Sequence, residues 1–308
     1  MPPKFIKFHG FGNDYIVIES RDLALVEITT TKQLGEFARR ICNRHYGAGA
    51  DGIAIVSQSD SADFHVRIFN PDSSEASLSG NGTRCAAAYL YYKKLWVAAE
   101  LRLSTRAGIK LYTLREQTGP TGVAGETPAV PVKCYVFDSE LGQPKFDPAS
   151  IPMIVEKQMD KIIDYELDVD GERVRVTALQ MGNPNCCIFV DDFEALDWRK
   201  IGRAIETHKQ FPDRTNVVFV RVEDRNSIEL RIWERGVGET EASGTCSCAA
   251  AVAAMIKGET ERAVNVLMPG GKAKIHWRSD IEGGEVVITG TAEVIYGGDW
   301  LTQTVSPT

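Results

Sequence analysis

The sequence contains no apolar run that approaches the roughly 18 residues needed to cross a bilayer as a helix. Its first residues, Met-Pro-Pro-Lys-Phe-Ile-Lys-Phe, lack the apolar core of a secretory signal peptide. It has no block of lysine and arginine, and its formal net charge is -7, so neither nucleic acid nor a membrane is an expected partner. Seven cysteines, an odd number, fit free thiols in a reducing compartment. We therefore expect a cytoplasmic protein.

Motifs for metals and cofactors are also missing. Cys186-Cys187 and Cys246-x-Cys248 are close pairs without zinc-ligand spacing, and the five histidines are scattered. There is no Gly-x-Ser-x-Gly elbow and no phosphate-binding Gly-x-x-x-x-Gly-Lys-Ser/Thr loop, and Gly80-x-Gly82 is too short for a dinucleotide fingerprint. Nothing in the sequence indicates pyridoxal phosphate. We expect no metal and no cofactor.

Four motifs of the first half recur in the same order in the second half, with spacing that drifts by only a few residues. The first set is Gly12-Asn-Asp-Tyr, Ala50-Asp-Gly-Ile, Arg67-Ile-Phe-Asn and Ser79-Gly before an alanine run; the second is Gly182-Asn-Pro-Asn, Thr215-Asn-Val-Val, Arg231-Ile-Trp-Glu and Ser243-Gly before an alanine run. A repeat of this kind predicts an internal duplication. At 308 residues and 43% hydrophobic residues, the chain is long enough for two domains.

Periodicity supplies the elements between these motifs. Apolar residues from Leu34 recur at helical spacing, and Asp197 could cap a matching helix in the second half. Alternating stretches predict strands at Lys4-Phe-Ile-Lys-Phe, Phe64-His-Val-Arg-Ile-Phe and Ile228-Glu-Leu-Arg-Ile-Trp. The predicted fold class is α+β: two pseudo-symmetric domains, each a sheet around a central helix, with the active-site cleft between them.

A turn-rich stretch, Gln117-Thr-Gly-Pro-Thr-Gly-Val-Ala-Gly-Glu-Thr-Pro, is the predicted linker. The predicted domains are therefore residues 1–130 and 131–308. Late strands at Glu285-Val-Val-Ile-Thr-Gly and Ala292-Glu-Val-Ile-Tyr are predicted as well, and the sequence leaves open which sheet they complete.

Ser79 and Ser243 would each present a side chain at the start of a helix, where free backbone N–H groups and the helix dipole favour a carboxylate. Two acid/base groups that face one α-carbon from opposite sides are what a racemase needs. The simpler interpretation is that each serine only caps a core helix. Gly12-Asn13 and Gly182-Asn183 could likewise be ordinary turns.

With these motifs, the chain resembles the cofactor-independent diaminopimelate epimerases over nearly its full length. The motifs that carry the resemblance are Phe8-His-Gly-Phe-Gly-Asn-Asp, Gly49-Ala-Asp, Arg67-Ile-Phe-Asn, Gly80-Asn-Gly-Thr-Arg-Cys, Met181-Gly-Asn-Pro, Arg214-Thr-Asn, Glu234-Arg-Gly-Val-Gly-Glu-Thr and Met268-Pro-Gly-Gly. The resemblance implies two-base α-proton transfer between LL- and meso-diaminopimelate in lysine and peptidoglycan precursor synthesis. It also implies closure over an amino-acid substrate, and it allows a homodimer.

The resemblance also implies roles for individual residues. Those that would contact the distal end of the substrate are Asn13, Asn70, Asn183, Asn216, Glu234 and Arg235. Those that would bind the reacting α-carboxylate through backbone N–H groups are Gly80, Asn81, Gly244 and Thr245. Ser79 and Ser243 align with the two catalytic cysteines of the family, and Asn185 aligns with a histidine that supports them.

Serine at the base positions changes the chemistry, because its hydroxyl is several pKa units less acidic than a thiol, whose usual pKa is near 8.5. One pKa unit corresponds to about 1.4 kcal/mol, and a helix dipole contributes at most ~2 kcal/mol. Cys246, in the first turn of the second helix, is a candidate alternative thiol, or it simply packs there.

Three explanations remain open at this point. Both cysteines could have been replaced deliberately, although this would not explain Asn185. The chain could be a natural variant that still epimerises. It could also be a paralogue that isomerises another small amino or unsaturated acid, or that only binds one.

Overall fold

The computed structural model describes residues 1–118, 133–157, 159–278 and 284–301. The chain divides into two compact units, which are described separately below. Unit 1 comprises Met1–Ser139 and Thr291–Thr308, and unit 2 comprises Glu140–Gly290. The domain boundary predicted near residue 130 lies outside the described residues. So does the predicted linker, apart from its first two residues, which end a strand.

Unit 1 begins with two strands and alternates strands with helices. Its elements are β1 (Lys4–Gly10), β2 (Asn13–Glu19), α1 (Ser20–Ala24), α2 (Thr31–Ile41), β3 (Gly52–Ser57), β4 (Phe64–Phe69), β5 (Glu75–Ala76), α3 (Gly80–Tyr92), β6 (Glu100–Thr105), β7 (Gly108–Thr118) and β8 (Cys134–Gly142), whose last residues belong to unit 2. β2 pairs in parallel with β3, and β4 pairs in parallel with β6. Parallel neighbours need a crossover connection, and α2 and α3 lie in those two connections.

After one additional strand, unit 2 repeats this order of elements without a helix that corresponds to α1. They are β9 (Ile162–Val169), β10 (Glu172–Gln180), β11 (Pro184–Phe189), α4 (Trp198–Glu206), β12 (Asn216–Asp224), β13 (Ser227–Glu234), β14 (Gly238–Thr240), α5 (Gly244–Ile256), β15 (Ala263–Met268), β16 (Gly271–Trp277) and β17 (Val286–Asp299). β11 is parallel to β12 with α4 in the connection, and β13 is parallel to β15 with α5 in the connection.

The two late strands predicted from the sequence form one continuous strand, β17. Its start, in unit 2, pairs with β16, from Val286 opposite Trp277 to Thr289 opposite Lys274. Its later residues, in unit 1, pair with β1, where Lys4 lies opposite Asp299.

Helices α3 and α5 are the two most buried helices of the described chain. In α3 every residue from Asn81 to Tyr91 is buried, and in α5 every residue from Cys246 to Met255 is buried. Their alanine runs allow the backbone to lie close to neighbouring strands without leaving voids. α3 contacts β1, β2, β3, β4 and β6, whereas α5 contacts β10, β11, β12, β13, β15 and β16.

The helix caps follow the sequence signals. Thr30 and Gln33 form a capping box at the start of α2, which buries its apolar face from Leu34 to Ile41. The Asp197 side chain accepts a hydrogen bond from the Lys200 backbone N–H at 3.1 Å and begins α4, which confirms the predicted cap. The described chain is thus built mostly of strands, with five helices. Within it, none of the helices has both the length and the apolar character to cross a membrane.

Candidate active site

Ser79 is the N-cap of α3 in unit 1. Its backbone is extended, and its Oγ accepts a hydrogen bond from the Gly82 backbone N–H at 3.1 Å. This hydroxyl satisfies one of the N–H groups that a helix start leaves unpaired. A Cβ at Gly80 would meet nothing within 4 Å, so the first helical position is open.

Four side chains near this helix start form a series of hydrogen bonds that leads from Arg84 to Asp51. The buried Arg84 guanidinium donates to Oδ1 of Asn81, whose Nδ2 donates to Oδ1 of Asn13 at 3.2 Å. Asn13 Nδ2 in turn donates to Oδ2 of Asp51 at 2.8 Å. Because a guanidinium only donates and a carboxylate only accepts, the orientation of both intervening amides is fixed.

Asp51 is itself held by an ion-pair cluster with Asp14. Arg44 Nη2 lies 2.9 Å from Asp14 Oδ1 and 2.7 Å from Asp51 Oδ1, and Lys7 Nζ lies 2.7 Å from Asp14 Oδ2. Burial opposes ionisation of Asp14, but the hydrogen bonds from Arg44 and Lys7 outweigh it and lower the pKa of Asp14 to about 2. The cluster fixes the loop that carries Asp51 against the start of β2.

Asn70 and Tyr15 also lie in unit 1, and Tyr15 forms a hydrogen bond with Ser79. Asn70 follows β4, and its Nδ2 donates to Ser74 Oγ at 2.9 Å rather than to another candidate residue. The Tyr15 ring fills the space that a side chain at Gly82 would need, since a Cβ there would lie 2.8 Å from Tyr15 Cε1. Burial raises the pKa of Tyr15 strongly, against a hydrogen bond with Ser79.

Ser243 is the N-cap of α5 in unit 2, with an extended backbone but no capping hydrogen bond. Its hydroxyl instead donates to Oε2 of Glu234 at 3.2 Å. Oε1 of Glu234 accepts from the Thr240 hydroxyl at 2.8 Å. Burial raises the pKa of Glu234, and the hydrogen bonds from Thr240 and Ser243 oppose the shift. Glu234 is therefore a carboxyl group with an increased affinity for a proton, in contact with the candidate base.

Three asparagines form a second chain in unit 2. The Arg235 backbone N–H donates to Asn216 Oδ1 at 2.9 Å, and Asn216 Nδ2 donates to Asn185 Oδ1 at 3.2 Å. Asn185 Nδ2 then donates to the backbone oxygen of Asn183 at 2.7 Å and to its Oδ1 at 3.1 Å. Asn185 has no exposed surface. It joins the predicted binding residues Asn183 and Asn216.

Glu206, the last residue of α4, holds the turn that carries Arg235 in place. Glu206 accepts from the Gly236 backbone N–H and from Trp233 Nε1, both at 2.8 Å. Arg214 lies 3.4 Å from Oε1. Burial disfavours the charged form, but these three partners outweigh it and lower the pKa of Glu206. The carboxylate stays ionised and fixes the turn.

Cys246, the candidate alternative thiol, has no exposed surface. Burial raises its pKa well above the usual value, and the charge of Glu234 raises it further. It is therefore a neutral thiol inside the first turn of α5. All seven cysteines are free, and no group of three histidine, cysteine, aspartate or glutamate residues in the described ranges could hold a metal ion.

The predicted residues fall into two clusters, one in each unit. We call them half-site 1, with Ser79, Gly80, Asn81 and Asn13, and half-site 2, with Ser243, Gly244, Thr245, Glu234, Arg235, Asn183 and Asn216. Asn70 also lies in unit 1, but its side chain bonds Ser74. In half-site 2 the Thr245 methyl group lies 3.5 Å from the Cβ position of Gly182, which brings the Asn183 turn to the start of α5.

Three supporting residues were not predicted from the sequence: Asp51, Arg84 and Glu206. Asp51 and Arg84 lie inside motifs that were recognised, Gly49-Ala-Asp and Gly80-Asn-Gly-Thr-Arg, so those motifs could have signalled them. Glu206 belongs to none of the recognised motifs.

Comparison with known proteins gives a consistent result. The sequence profile described as diaminopimelate epimerase matches residues 5–130 and 177–295. The chain is 38% identical to a diaminopimelate epimerase of Pelotomaculum thermopropionicum over 96% of its length and 98% of the relative. It is 39% identical to that of Desulfitobacterium hafniense over 98% and 100%.

Solved structures share the fold at low identity. A PhzF-family phenazine biosynthesis protein of Bacillus anthracis superposes with a TM-score of 0.68 at 16% identity, covering 98% of this chain and 100% of that one. A methylitaconate-delta-isomerase superposes with a TM-score of 0.60 at 14% identity, covering 100% and 99%.

Proposed function

The chain belongs to the diaminopimelate epimerase family, and we propose that it interconverts LL- and meso-diaminopimelate by proton transfer at one α-carbon. It is an isomerase of the epimerase type. The family's substrate places this reaction in the synthesis of lysine and peptidoglycan precursors.

One observation carries the proposal beyond family membership. Ser79 and Ser243 hold the same N-cap position before two buried helices of 13 residues, with φ and ψ of -133° and 121° in one and -145° and 124° in the other. Epimerisation needs two proton-transferring groups, one for each face of the α-carbon. Each unit supplies one such group at a helix start.

The α-carboxylate of the substrate binds to backbone N–H groups in this proposal. Gly80 and Asn81 lie in the first turn of α3, and Gly244 and Thr245 in the first turn of α5. Free N–H groups and the positive end of the helix dipole stabilise a carboxylate there, and they also stabilise the negative charge that develops when the α-proton leaves.

The distal end of the substrate carries a second carboxylate and a second ammonium group. Arg235 is exposed, and its backbone is fixed by Asn216, so its guanidinium is available for a carboxylate. The other proposed contacts are Asn13, Asn70, Asn183, Asn216 and Glu234.

The hydrogen bonds suggest how proton transfer runs without thiols. The α-proton moves to Ser243 Oγ while the hydroxyl proton of Ser243 moves to Glu234, whose raised pKa favours its uptake. Ser79 gives its hydroxyl proton to the opposite face, and the oxygen left behind keeps the hydrogen bond from Gly82. The α-proton lost on one side is thus replaced on the other. After the product leaves, Glu234 releases its proton to water and the Ser79 oxygen takes one up from water, which restores the enzyme.

A second candidate function has one observation in its favour. Both base positions carry hydroxyls, and the nearest thiol, Cys246, is buried and neutral. A protein that binds an amino acid without converting it would retain the half-sites and not need the thiols. The replacement of thiols by hydroxyls is also compatible with an isomerase that acts on another small amino acid or unsaturated acid.

The wider organisation follows from the same evidence. The repeated order of parallel strands and helices in the two units supports an internal duplication, with α3 and α5 as the central helices. Seven free thiols support a cytoplasmic location. We propose a reaction without pyridoxal phosphate, an amino-acid substrate as the small-molecule partner, no nucleic-acid or membrane partner, and a homodimer as the assembly to test.

The deciding experiment is proton NMR of LL-diaminopimelate with the purified protein in heavy water. Loss of the α-proton signal and appearance of the meso form would support the epimerase. Tight binding without exchange would favour the binding protein. Neither binding nor exchange would direct the search to other amino and unsaturated acids.

A further inference from the structure

Asn185 lies between Asn216 and Asn183 of half-site 2, and the sequence resemblance only aligned it with a histidine of the family. Its carboxamide uses both ends: Oδ1 accepts from Asn216, and Nδ2 donates to both oxygens of Asn183. Its side chain is fully enclosed, so every one of these hydrogen bonds is made away from water. Buried amides that lose their partners are costly, which makes this arrangement selective for one orientation.

The direction of the whole chain is fixed at both ends by backbone groups. At one end the Arg235 N–H can only donate, so Asn216 must turn Oδ1 toward it and Nδ2 toward Asn185. At the other end the Asn183 backbone oxygen can only accept, so Asn185 must turn Nδ2 toward it. The two requirements agree, and neither amide can flip without losing a backbone partner.

This fixed direction determines what Asn183 presents to a ligand. Asn183 Oδ1 already accepts a hydrogen bond from Asn185, so the Nδ2 group of Asn183 is the end of the amide that is left for a ligand. Among the described residues, no group accepts a hydrogen bond from that Nδ2, and the Asn183 side chain is partly exposed. The exposed Arg235 guanidinium adds further donors in the same half-site. These donors favour a carboxylate on the ligand, since both oxygens of the Glu234 carboxylate in this half-site already accept from Thr240 and Ser243.

We propose that Asn185 is a positioning residue that holds the Asn183 amide with its N–H groups toward the ligand, so that half-site 2 recognises a carboxylate. Asn185 takes no part in acid/base chemistry, because a carboxamide does not titrate. The inference rests on the proposed function for the identity of the ligand, which we take as diaminopimelate.

The test is the isosteric variant Asn185→Asp. When ionised, the introduced carboxylate still accepts from Asn216 but has no donor for Asn183. The backbone oxygen and Oδ1 of Asn183 would then face a carboxylate oxygen, and the Asn183 side chain would lose its fixed orientation. When protonated, the introduced carboxyl group regains one O–H donor. The affinity of the variant for meso-diaminopimelate, relative to the unaltered protein at the same pH, should therefore be at least about tenfold weaker at pH 8 and recover toward pH 5.

The comparison at each pH removes the contribution of Glu234, which titrates in both proteins. Asn226→Asp is the matched control: it makes the same change at an exposed turn before β13 and should leave the affinity unchanged at both pH values. A loss of affinity that does not depend on pH, or an affinity equal to that of the unaltered protein at every pH, would overturn the proposal.

A second measurement needs no ligand. Side-chain amide signals of Asn183 and Asn216, followed by nitrogen-edited NMR, should shift in Asn185→Asp at pH 8 and return toward their original positions at pH 5. Unchanged signals would contradict the positioning role. If the unaltered protein does not bind diaminopimelate but these signals respond as expected, the substrate assignment fails and the role of Asn185 stands.

Discussion

Ser243 donates its hydroxyl hydrogen to Glu234 across 3.2 Å, whereas Ser79, at the equivalent helix start, accepts a hydrogen bond from Gly82 across 3.1 Å. The two serines therefore differ in hydrogen-bonding state although they share a position in the repeat. Ser243 has a carboxylate that can receive its proton, whereas the Ser79 hydroxyl also forms a hydrogen bond with Tyr15, whose pKa is strongly raised by burial. The two half-sites should contribute unequally to proton transfer.

Glu234→Gln tests this asymmetry. Glutamine keeps the size of the side chain and still accepts from hydroxyls, but it cannot take up a proton. The rate of α-proton exchange should fall by about 10²-fold or more, the range expected when a general base is lost. Proton NMR in heavy water measures this rate. Glu239→Gln is the matched control, because Glu239 is exposed and pairs with Arg199. An unaltered exchange rate in Glu234→Gln would remove Glu234 from the mechanism.

The same substitution should change the pH dependence of stability. The folded pKa of Glu234 is raised, so the folded state binds this proton more tightly than the unfolded state does. Stability is therefore lost as the pH rises from the unfolded pKa through the folded pKa. Relative to the unaltered protein, Glu234→Gln should gain free energy of unfolding between pH 4 and pH 8. Urea unfolding at both pH values provides the measurement.

Restoring thiols at the two helix starts should accelerate the reaction. The double variant Ser79→Cys/Ser243→Cys places groups of usual pKa near 8.5 where free N–H groups and the helix dipole favour the thiolate. We expect α-proton exchange to rise by about 10²-fold. Iodoacetamide should inactivate this variant and leave the unaltered protein active. A double variant no faster than the unaltered protein would mean that proton transfer does not pass through these positions.

Cys246→Ala should leave the exchange rate within about twofold, since the Cys246 thiol is buried and its pKa is raised well above the usual value. The cost should appear in stability instead, at about 1 kcal/mol for a small cavity in a packed helix. Exchange assays and urea unfolding on one preparation separate the two effects. A large loss of exchange with unchanged stability would reverse the assignment and make Cys246 the proton carrier.

Local signals in the sequence predicted the elements that carry the half-sites. Ser79, Ser243 and Asp197 were expected as helix starts, and each is an N-cap in the structure. The reason is that capping and periodicity depend on residues only a few positions apart. The alternating stretch from Phe64 likewise forms a strand, β4.

Contacts between distant parts of the chain could not be read in this way. Asn185 meets Asn216 because β11 and β12 run in parallel with these two residues as partners. Asn13 meets Asp51 because an ion-pair cluster holds the loop before β3 against β2. Such pairings depend on strand register, and no local pattern in one sequence encodes register across a helical crossover.

Ionisation of Asp14 should make the free energy of unfolding depend on pH in the acid range. Its folded pKa, about 2, lies below the ordinary value of 3.8, so its contribution is fully present above the unfolded pKa and is lost as the pH falls through the folded pKa. The difference corresponds to about 2 kcal/mol. Asp14→Asn should lower the free energy of unfolding at pH 7 by at least this amount, because Lys7 and Arg44 lose a partner. The deficit should shrink between pH 4 and pH 2, and a deficit constant over that range would contradict the role assigned to Asp14.

Arg235→Ala tests recognition of the distal carboxylate. The Arg235 backbone is fixed by Asn216, and its Nη1 donates to the Asp213 backbone oxygen at 3.0 Å, so the guanidinium is held in place before a ligand arrives. Loss of a charge-assisted partner typically costs about 2 kcal/mol or more, which corresponds to at least about a 30-fold weaker affinity for meso-diaminopimelate. L-Lysine, which has the same chain without the distal carboxylate, should bind the variant and the unaltered protein equally, as measured by calorimetry. Equal losses for both ligands would show that the substitution disturbs half-site 2 as a whole, and undiminished affinity for diaminopimelate would show that its distal carboxylate binds elsewhere.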